Sequence, residues 1–358
     1  MPIQARRIFR LSFAPALALA AAYAIAAPLP YIAPLFAFFL TAMPGPPLAV
    51  KKLLGLLVLV MLTLGMGVVL IPLLINFQLT ALLLVLIGLY FSSYLTVNLN
   101  KNLPGTFLAM GVTMISAAGT VNYGLAITII QALVLGIIIA TLSQSLIYLL
   151  FPEDPPGTPN SDKNSPADDS QSDGQQEESP AEIKNAVQSN WIAIRSTLIV
   201  FPAYWLLLIN PLAYMPIAMK SVMLSQQAST MDAKHAGIEL IGSTLLGGLF
   251  AVFFWFALGI WTNLWMFFLW MLLLGLFFSC KIYQLIPSRY PASFWLNTAV
   301  TMLIMIGPAV EDSANGKDVY AAFFSRSALL ILITLYALLA VYFLEYVNTR
   351  YRKRAYVN

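Results

Sequence analysis

The chain has little charge for its length. Charged residues make up 9% of its 358 residues and hydrophobic residues 60%, whereas a soluble domain has about 25% charged residues. So few charges cannot cover a water-exposed surface, so lipid has to cover most of the molecule. The composition therefore predicts a polytopic α-helical membrane protein.

Cysteine and histidine are each present once, as Cys280 and His235. One cysteine excludes an intrachain disulfide, and one histidine excludes a multi-histidine metal site and argues against a Ser-His-Asp triad. A phosphate-binding loop for ATP is also missing, since Gly316 and Lys317 are followed by Asp318 instead of serine or threonine. We therefore expect no metal, no cofactor and no enzymatic activity.

The basic residues do not form a nucleic-acid surface. The net charge is +4 and the isoelectric point is near 9.0, but the lysines and arginines lie at the ends of apolar runs. Membrane topology explains that distribution, so we expect no nucleic-acid partner.

Twelve apolar runs approach the roughly 20 residues that a spanning helix needs. The first follows three arginines and resembles a secretory signal, but further apolar runs come directly after it, so we interpret it as an uncleaved span. The runs form two sets of six, near 11–27, 29–43, 53–74, 79–98, 105–120 and 124–151, then 192–209, 212–226, 236–259, 261–280, 292–308 and 322–346.

Lysine and arginine are concentrated in every second connection between the apolar runs, as expected if those connections are cytoplasmic loops. The loops near 28, 75, 121, 210 and 260 carry no charge, and of the loops on that side only 309–320 is charged. This pattern places both termini in the cytoplasm. The basic residues on the cytoplasmic side are Arg6, Arg7, Arg10, Lys51, Lys52, Lys101, Arg195, Lys234, Lys281, Arg289, Arg350, Arg352, Lys353 and Arg354.

Residues 152–190 differ from the rest of the chain. They hold nine of the fifteen acidic residues and are rich in proline, serine and glutamine, a composition that cannot bury a core. We predict a disordered cytoplasmic linker, as a solvated tether or an acidic partner-binding segment. It separates an N-terminal membrane half, 1–151, from a C-terminal half, 191–358.

The two halves resemble each other at an offset of 187 residues. The segment 88–93, Gly-Leu-Tyr-Phe-Ser-Ser, returns as 275–280, Gly-Leu-Phe-Phe-Ser-Cys, and 104–107, Pro-Gly-Thr-Phe, returns as 291–294, Pro-Ala-Ser-Phe. Six spans per half start both halves on the same side. The fold class predicted is therefore all-α, with about twelve transmembrane helices as two parallel six-helix repeats, a plan that transporters use.

Several segments resemble the fusaric acid resistance and aromatic acid exporter superfamily. The stretch 225–229, Ser-Gln-Gln-Ala-Ser, followed by 237–247, Gly-Ile-Glu-Leu-Ile-Gly-Ser-Thr-Leu-Leu-Gly, is similar to that superfamily's signature. The segments 29–34 and 43–47 resemble the corresponding segments of a short bacterial branch of this superfamily. Two features depart from the pattern: Glu239 stands where the signature has arginine, and the linker replaces a large cytoplasmic domain.

The resemblance implies a bacterial inner-membrane efflux component that works with a periplasmic adaptor of the membrane-fusion type. Its expected substrates are small aromatic or amphipathic organic anions, and without an ATPase motif the expected energy source is the proton gradient. Besides lipid, a second copy of the chain is left open as a partner.

Short, proline-interrupted spans at matching positions in the two halves indicate where a substrate binds. Pro34 and Pro216 mark one such pair of spans. Phe107 and Phe294, in the fifth and eleventh spans, are candidates to stack on an aromatic ligand, and Asn297 is a candidate to line the path. Packing between helices is the alternative for all of these residues.

Lys220 is the most specific candidate. It lies in a short apolar run, where an ammonium costs about 2.5–3.5 kcal/mol at the centre of a span. It either attracts the carboxylate of an anionic substrate or extends to the cytoplasmic interface as a snorkelling lysine.

Asp232, His235 and Glu239 form a second cluster, at the start of the ninth span. His235 and Glu239 are four residues apart and share a face if the stretch is helical. They are candidates for proton coupling, with an interfacial charge cluster as the alternative.

At the far end of the eleventh span lie Glu311 and Asp312. Arg326, about one turn inside the twelfth span, is a candidate to pair with them, either structurally or at a substrate exit.

Three rivals to efflux remain. One is a passive permease of the same fold, and the second is a membrane scaffold of an envelope complex. The third is a membrane enzyme with a lone nucleophile.

Overall fold

The computed structural model describes residues 3–42, 50–99, 101–152, 180–211, 214–215, 218–222, 233–316 and 318–355. All regular secondary structure in these ranges is helical, which confirms the all-α class. The helices are α1 Ile3–Ala24, α2 Ile32–Ala42, α3 Val50–Asn76, α4 Gln78–Val97, α5 Asn102–Met110, α6 Ser116–Val121, α7 Tyr123–Leu150, α8 Pro180–Ile209, α9 Ala233–Ile260, α10 Leu264–Ile282, α11 Ala292–Ala314 and α12 Val319–Ala355.

Nine helical stretches within these ranges are long and apolar enough to cross a membrane, which indicates a multi-pass membrane protein. They are Lys51–Asn76, Gln78–Val97, Leu103–Val121, Tyr123–Leu150, Asn190–Ile209, Glu239–Ile260, Leu264–Ile282, Ala292–Ala314 and Val319–Leu344.

Three of the twelve predicted runs are not among the nine. Helix α1 carries Arg6, Arg7 and Arg10 in its first half and Pro15 inside. Helix α2 has 11 residues, so it is roughly 16 Å long, about half the hydrocarbon thickness. Of the run 212–226, residues 214–215 and 218–222 are described, and all of them are helical. Nine of the twelve predicted spans therefore correspond to helical stretches of membrane-spanning length in the described chain.

The fifth span is longer than its sequence suggests. Helices α5 and α6 are joined by a π-helical turn, Gly111–Ile115, so that Leu103–Val121 forms one stretch. Together with α11 it is the most enclosed of the nine stretches, since most of its residues are buried. These two segments therefore lie at the centre of the bundle, while α3, α4 and α12 expose many apolar side chains, as lipid-facing helices do.

Two helix crossings occur at glycines, one between α3 and the π-helical turn Gly111–Ile115 and one between α9 and α11. A β-carbon on Gly67 in α3 would overlap the carbonyl oxygen of Gly111, and one on Gly247 in α9 would lie 2.7 Å from the carbonyl oxygen of Thr298 in α11. Only glycine allows the backbones to approach this closely.

The first helix of each half packs against a helix of the other half. Helix α1 packs along α10, and α8 packs along α4. The hydroxyls of Ser12 and Ser279 are 3.2 Å apart across the first pair, and Asn98 Nδ2 donates to Asn190 Oδ1 at 2.9 Å across the second. The two halves are therefore packed together through these reciprocal contacts.

The predicted linker has a different end from the one expected. Helix α8 begins at Pro180, so the last part of the predicted range 152–190 is helical. Residues 153–179 lie outside the described ranges.

Candidate functional site

Three polar residues follow one face of α11. Ser293, Asn297 and Thr301 are spaced by four residues, and residues at this spacing lie above one another on a helix. Asn297 and Thr301 are buried in an otherwise largely apolar helix. We refer to these three residues as the α11 polar stripe.

Lys220 lies at one end of this stripe. Its side chain is 1% exposed, and its Nζ donates to Thr301 Oγ1 at 2.7 Å. The Thr301 hydroxyl in turn donates to the carbonyl oxygen of Asn297 at 2.7 Å. No carboxylate of the described residues pairs with Lys220, so an ammonium sits in the bundle with one neutral partner. This position is not that of a snorkelling lysine.

Asn297 adds a second donor without an acceptor. Its side chain is 2% exposed, and its Nδ2 has no hydrogen-bond partner among the described residues. Leaving a buried donor unsatisfied costs about 1–3 kcal/mol. The end of the stripe at Lys220 therefore offers one positive charge and a surplus of N–H donors, which is the complement of a small anion.

Glu239 lies at the other end of the stripe. It projects from α9 with 8% of its surface exposed, and its Oε1 accepts a hydrogen bond from Ser293 Oγ. Ser293 and Thr301 are eight residues apart. Roughly 12 Å along α11 therefore separates the residue that contacts the Glu239 carboxylate from the residue that contacts the Lys220 ammonium. The stripe thus connects two buried groups of opposite charge.

Helix α9 approaches the stripe closely because of its glycines. A β-carbon on Gly247 would lie 2.7 Å from the β-carbon of Thr301, and one on Gly242 would lie 3.2 Å from the Phe294 ring. Phe294 itself is stacked on Tyr290, with the ring centroids 4.3 Å apart. Packing against α9 and Tyr290 therefore accounts for the position of Phe294 beside the stripe.

The N-terminal half lacks the polar side chains of Asn297 and Thr301 at the equivalent positions. At the offset of 187 residues, Asn297 and Thr301 correspond to Met110 and Met114, which are both buried. Helix α2 contains no charged residue. The described residues at the equivalent positions of the N-terminal half therefore do not repeat the α11 polar stripe.

The other predicted site residues lie elsewhere. Phe107 is buried against Phe36, with ring centroids 5.6 Å apart, and Pro34 lines a cavity on a different face of α11. The backbone of His235 belongs to the start of α9, whereas Asp232 and Pro216 lie outside the described residues. The structure places Lys220, Asn297 and Glu239 along the α11 polar stripe, with Phe294 beside the stripe.

Ser293 was not among the predicted site residues. The four-residue spacing of polar side chains along an apolar run could have identified it from the sequence. The pairing of Arg326 with Asp312 was predicted and is confirmed, with Arg326 Nη2 2.5 Å from Asp312 Oδ2.

Comparison with known protein families gives a match in the N-terminal part of the chain. Residues 7–147 match the family described as Protein of unknown function (DUF2955), which covers the N-terminal membrane half and less than half of the chain. Comparison with curated proteins and with solved structures gives no match. The family match is compatible with the superfamily resemblance and supplies no function for the α11 polar stripe, which lies outside the matched residues.

Proposed function

We propose that this chain is the membrane component of a bacterial inner-membrane efflux system for small aromatic or amphipathic organic anions. The observation that carries the proposal is Lys220, an ammonium buried in a helical bundle with a neutral hydroxyl as its described partner. Intramembrane cations of this kind mark substrate paths, because their cost has to be offset by function.

The proposed architecture has twelve membrane segments in two parallel six-helix halves, with both termini in the cytoplasm. The reciprocal packing of α1 on α10 and of α8 on α4 supports it, because a two-fold relation exchanges equivalent helices. A second observation also supports it. The crossing of α3 with the π-helical turn involves Gly111, and the crossing of α9 with α11 involves Thr298; these two residues are separated by the same 187 residues as the sequence repeats.

The substrate's carboxylate is proposed to bind between Lys220 and Asn297. The ammonium supplies charge and two further N–H groups beyond the one that Thr301 accepts. The Asn297 amide supplies donors that have no described acceptor. A single lysine suits a monoanion, because one positive charge cannot neutralise two buried negative ones.

Glu239 is proposed to carry the coupling proton, with Asp232 and His235 nearby in the sequence. Its hydrogen bond to Ser293 links it to the stripe that ends at Lys220. A proton gradient is the proposed energy source, and a periplasmic adaptor of the membrane-fusion type is the proposed partner.

Everted inner-membrane vesicles test this proposal, because an efflux transporter fills them with substrate. Vesicles that contain the protein should accumulate 2-naphthoate when respiration is energised, and a protonophore should abolish the accumulation. Glu239→Gln should do the same, whereas Glu182→Gln, a neutralisation in the predicted linker, should not. Uptake that ignores the protonophore would identify a passive permease, and no uptake of any aromatic carboxylate would favour a scaffold.

A further inference from the structure

The C-terminal end of α2 lies inside the bundle. The helix has 11 residues and ends at Ala42, and both α1 and α7 pack along it. In a longer helix the carbonyl oxygen of Leu40 would accept from the N–H of residue 44, and that of Ala42 from the N–H of residue 46. Residues 44 and 46 are both proline, which has no N–H. The last turn of α2 therefore presents carbonyl oxygens that no following turn of helix can satisfy.

Gln144 of α7 lies at this helix end. Its Nε2 donates to the carbonyl oxygen of Leu40 at 3.0 Å, and the residue is 3% exposed. The Oε1 of the same amide has no hydrogen-bond partner among the described residues. Such an oxygen requires a physical reason, because a buried acceptor without a donor destabilises the fold.

Thr41, in the last turn of α2, adds a second oxygen of the same kind. The residue is 5% exposed, and its Oγ1 has no hydrogen-bond partner in the part of the chain that the structure describes. Other buried threonines, such as Thr113, Thr141 and Thr334, donate to the carbonyl oxygen four residues earlier in their own helix. Thr41 does not use that local acceptor. Two buried side-chain oxygens and the terminal carbonyl oxygens therefore share the end of α2.

These oxygens suit a small monovalent cation. The C-terminal end of a helix carries a partial negative charge, and the ends of interrupted membrane helices coordinate sodium ions in transporters. Helices α1, α2 and α7 contain no acidic residue. Calcium and magnesium are bound through carboxylates, so a set of neutral oxygens favours an ion with a single charge.

A buried arginine, Arg10 of α1, lies one turn further along α7. Its guanidinium carbon is 4.5 Å from the centre of the Tyr148 ring, and Tyr148 follows Gln144 by four residues. The ring offsets part of the positive charge, because an aromatic face attracts cations. The remaining charge repels a divalent ion twice as strongly as a monovalent one, which again favours a monovalent ion at the end of α2.

We propose that Gln144, Thr41 and the last carbonyl oxygens of α2 form a binding site for one sodium ion. A dehydrated sodium ion is smaller than a water molecule, so the site needs no large cavity. The single histidine and single cysteine argued against a metal site, but sodium binds to oxygen and needs neither. The proposal goes beyond the proposed function and does not depend on it, because Lys220 lies in the other half of the chain.

Equilibrium binding of radioactive sodium to the full chain in lipid nanodiscs tests the proposal, with N-methylglucamine chloride keeping the ionic strength constant. The wild-type chain should bind one ion saturably. Thr41→Val replaces the hydroxyl with a methyl group and should weaken sodium binding about tenfold, and Gln144→Leu should abolish it. Thr334→Val is the matched control, because this buried threonine of α12 already donates to Leu330, and it should bind sodium as the wild type does.

Absence of saturable sodium binding by the wild-type chain would overturn the proposal, as would equal sodium affinity of Thr41→Val and the wild type. Displacement of sodium by an equal concentration of potassium would contradict a sodium site. If Gln144→Leu does not fold, because it also loses the bond to Leu40, Thr41→Val decides alone. Lys220→Met should bind sodium normally, so a failure of anion transport and a failure of the sodium site are distinguishable.

Discussion

Lys220 is held differently from Arg326, a cation near the far end of α11. Arg326 has a carboxylate partner in Asp312, whereas Lys220 donates to the hydroxyl of Thr301. A buried charge with a neutral partner is costly to the fold, because one hydrogen bond does not replace the water that the ammonium loses. Such a residue lowers stability and is expected where function requires it.

Replacing Lys220 with methionine should therefore stabilise the protein. The change removes a charge that costs about 2.5–3.5 kcal/mol and loses a hydrogen bond of about 1.5–3 kcal/mol, so we expect a gain of up to about 2 kcal/mol. Thr301 keeps its own hydrogen bond to Asn297. Thermal unfolding in detergent measures the effect, with Lys51→Met, at an exposed lysine of α3, as control. A clear loss of stability in Lys220→Met would indicate a structural lysine.

At the scale of the helices, glycine placement sets how closely neighbours approach. Gly67 and Gly65 are two residues apart in α3, but only Gly67 faces another backbone, that of Gly111. A β-carbon on Gly65 would meet no atom within 4 Å. The crossing between α3 and the π-helical turn therefore depends on one of the two glycines.

The pair Gly67→Ala and Gly65→Ala tests this crossing. Gly67→Ala should lower the free energy of unfolding by about 1–3 kcal/mol, because overpacking forces the helices apart. Gly65→Ala should be neutral or stabilising by up to about 1 kcal/mol, since alanine is the better helix former. Thermal unfolding of the two variants gives the comparison. Equal effects of the two changes would contradict the described crossing.

Helices were predictable from the sequence where apolar runs were long. The predicted run 79–98 corresponds to Gln78–Val97, and 261–280 corresponds to Leu264–Ile282. The π-helical turn at Gly111 was not predicted, because it depends on the contact with α3. Lys220 and Glu239 were identified by their charge in apolar surroundings, but their connection through Ser293, Asn297 and Thr301 needed the packing of three separate segments.

At the scale of the whole molecule, the first helix of each half packs against the other half as well as against its own half. Helix α1 lies on α10, where Gly275 brings the backbone of α10 close to Ser12, and α8 lies on α4. The halves therefore cannot separate without exposing both pairs of helices. This packing is compatible with the proposed parallel arrangement of the halves.

A cysteine cross-link tests this packing. In a Cys280→Ala background, Ser12→Cys with Ser279→Cys should form a disulfide on mild oxidation, because the two hydroxyls are 3.2 Å apart. A protease site inserted within 153–179 separates the halves, so cross-linked halves migrate together on a non-reducing gel. Ser12→Cys with Ser92→Cys is the matched control, since Ser92 lies on α4, and should not cross-link. Equal cross-linking of both pairs would argue against the described packing.

The central claim is that Lys220 binds the anion that the protein moves, and its most direct measurement is uptake of 2-naphthoate by everted vesicles that contain matched amounts of each variant. We predict that Lys220→Met lowers the initial rate at least about tenfold while the folded protein remains at least as stable as the wild type. Lys51→Met should transport at the wild-type rate. Normal 2-naphthoate uptake by Lys220→Met would contradict the account.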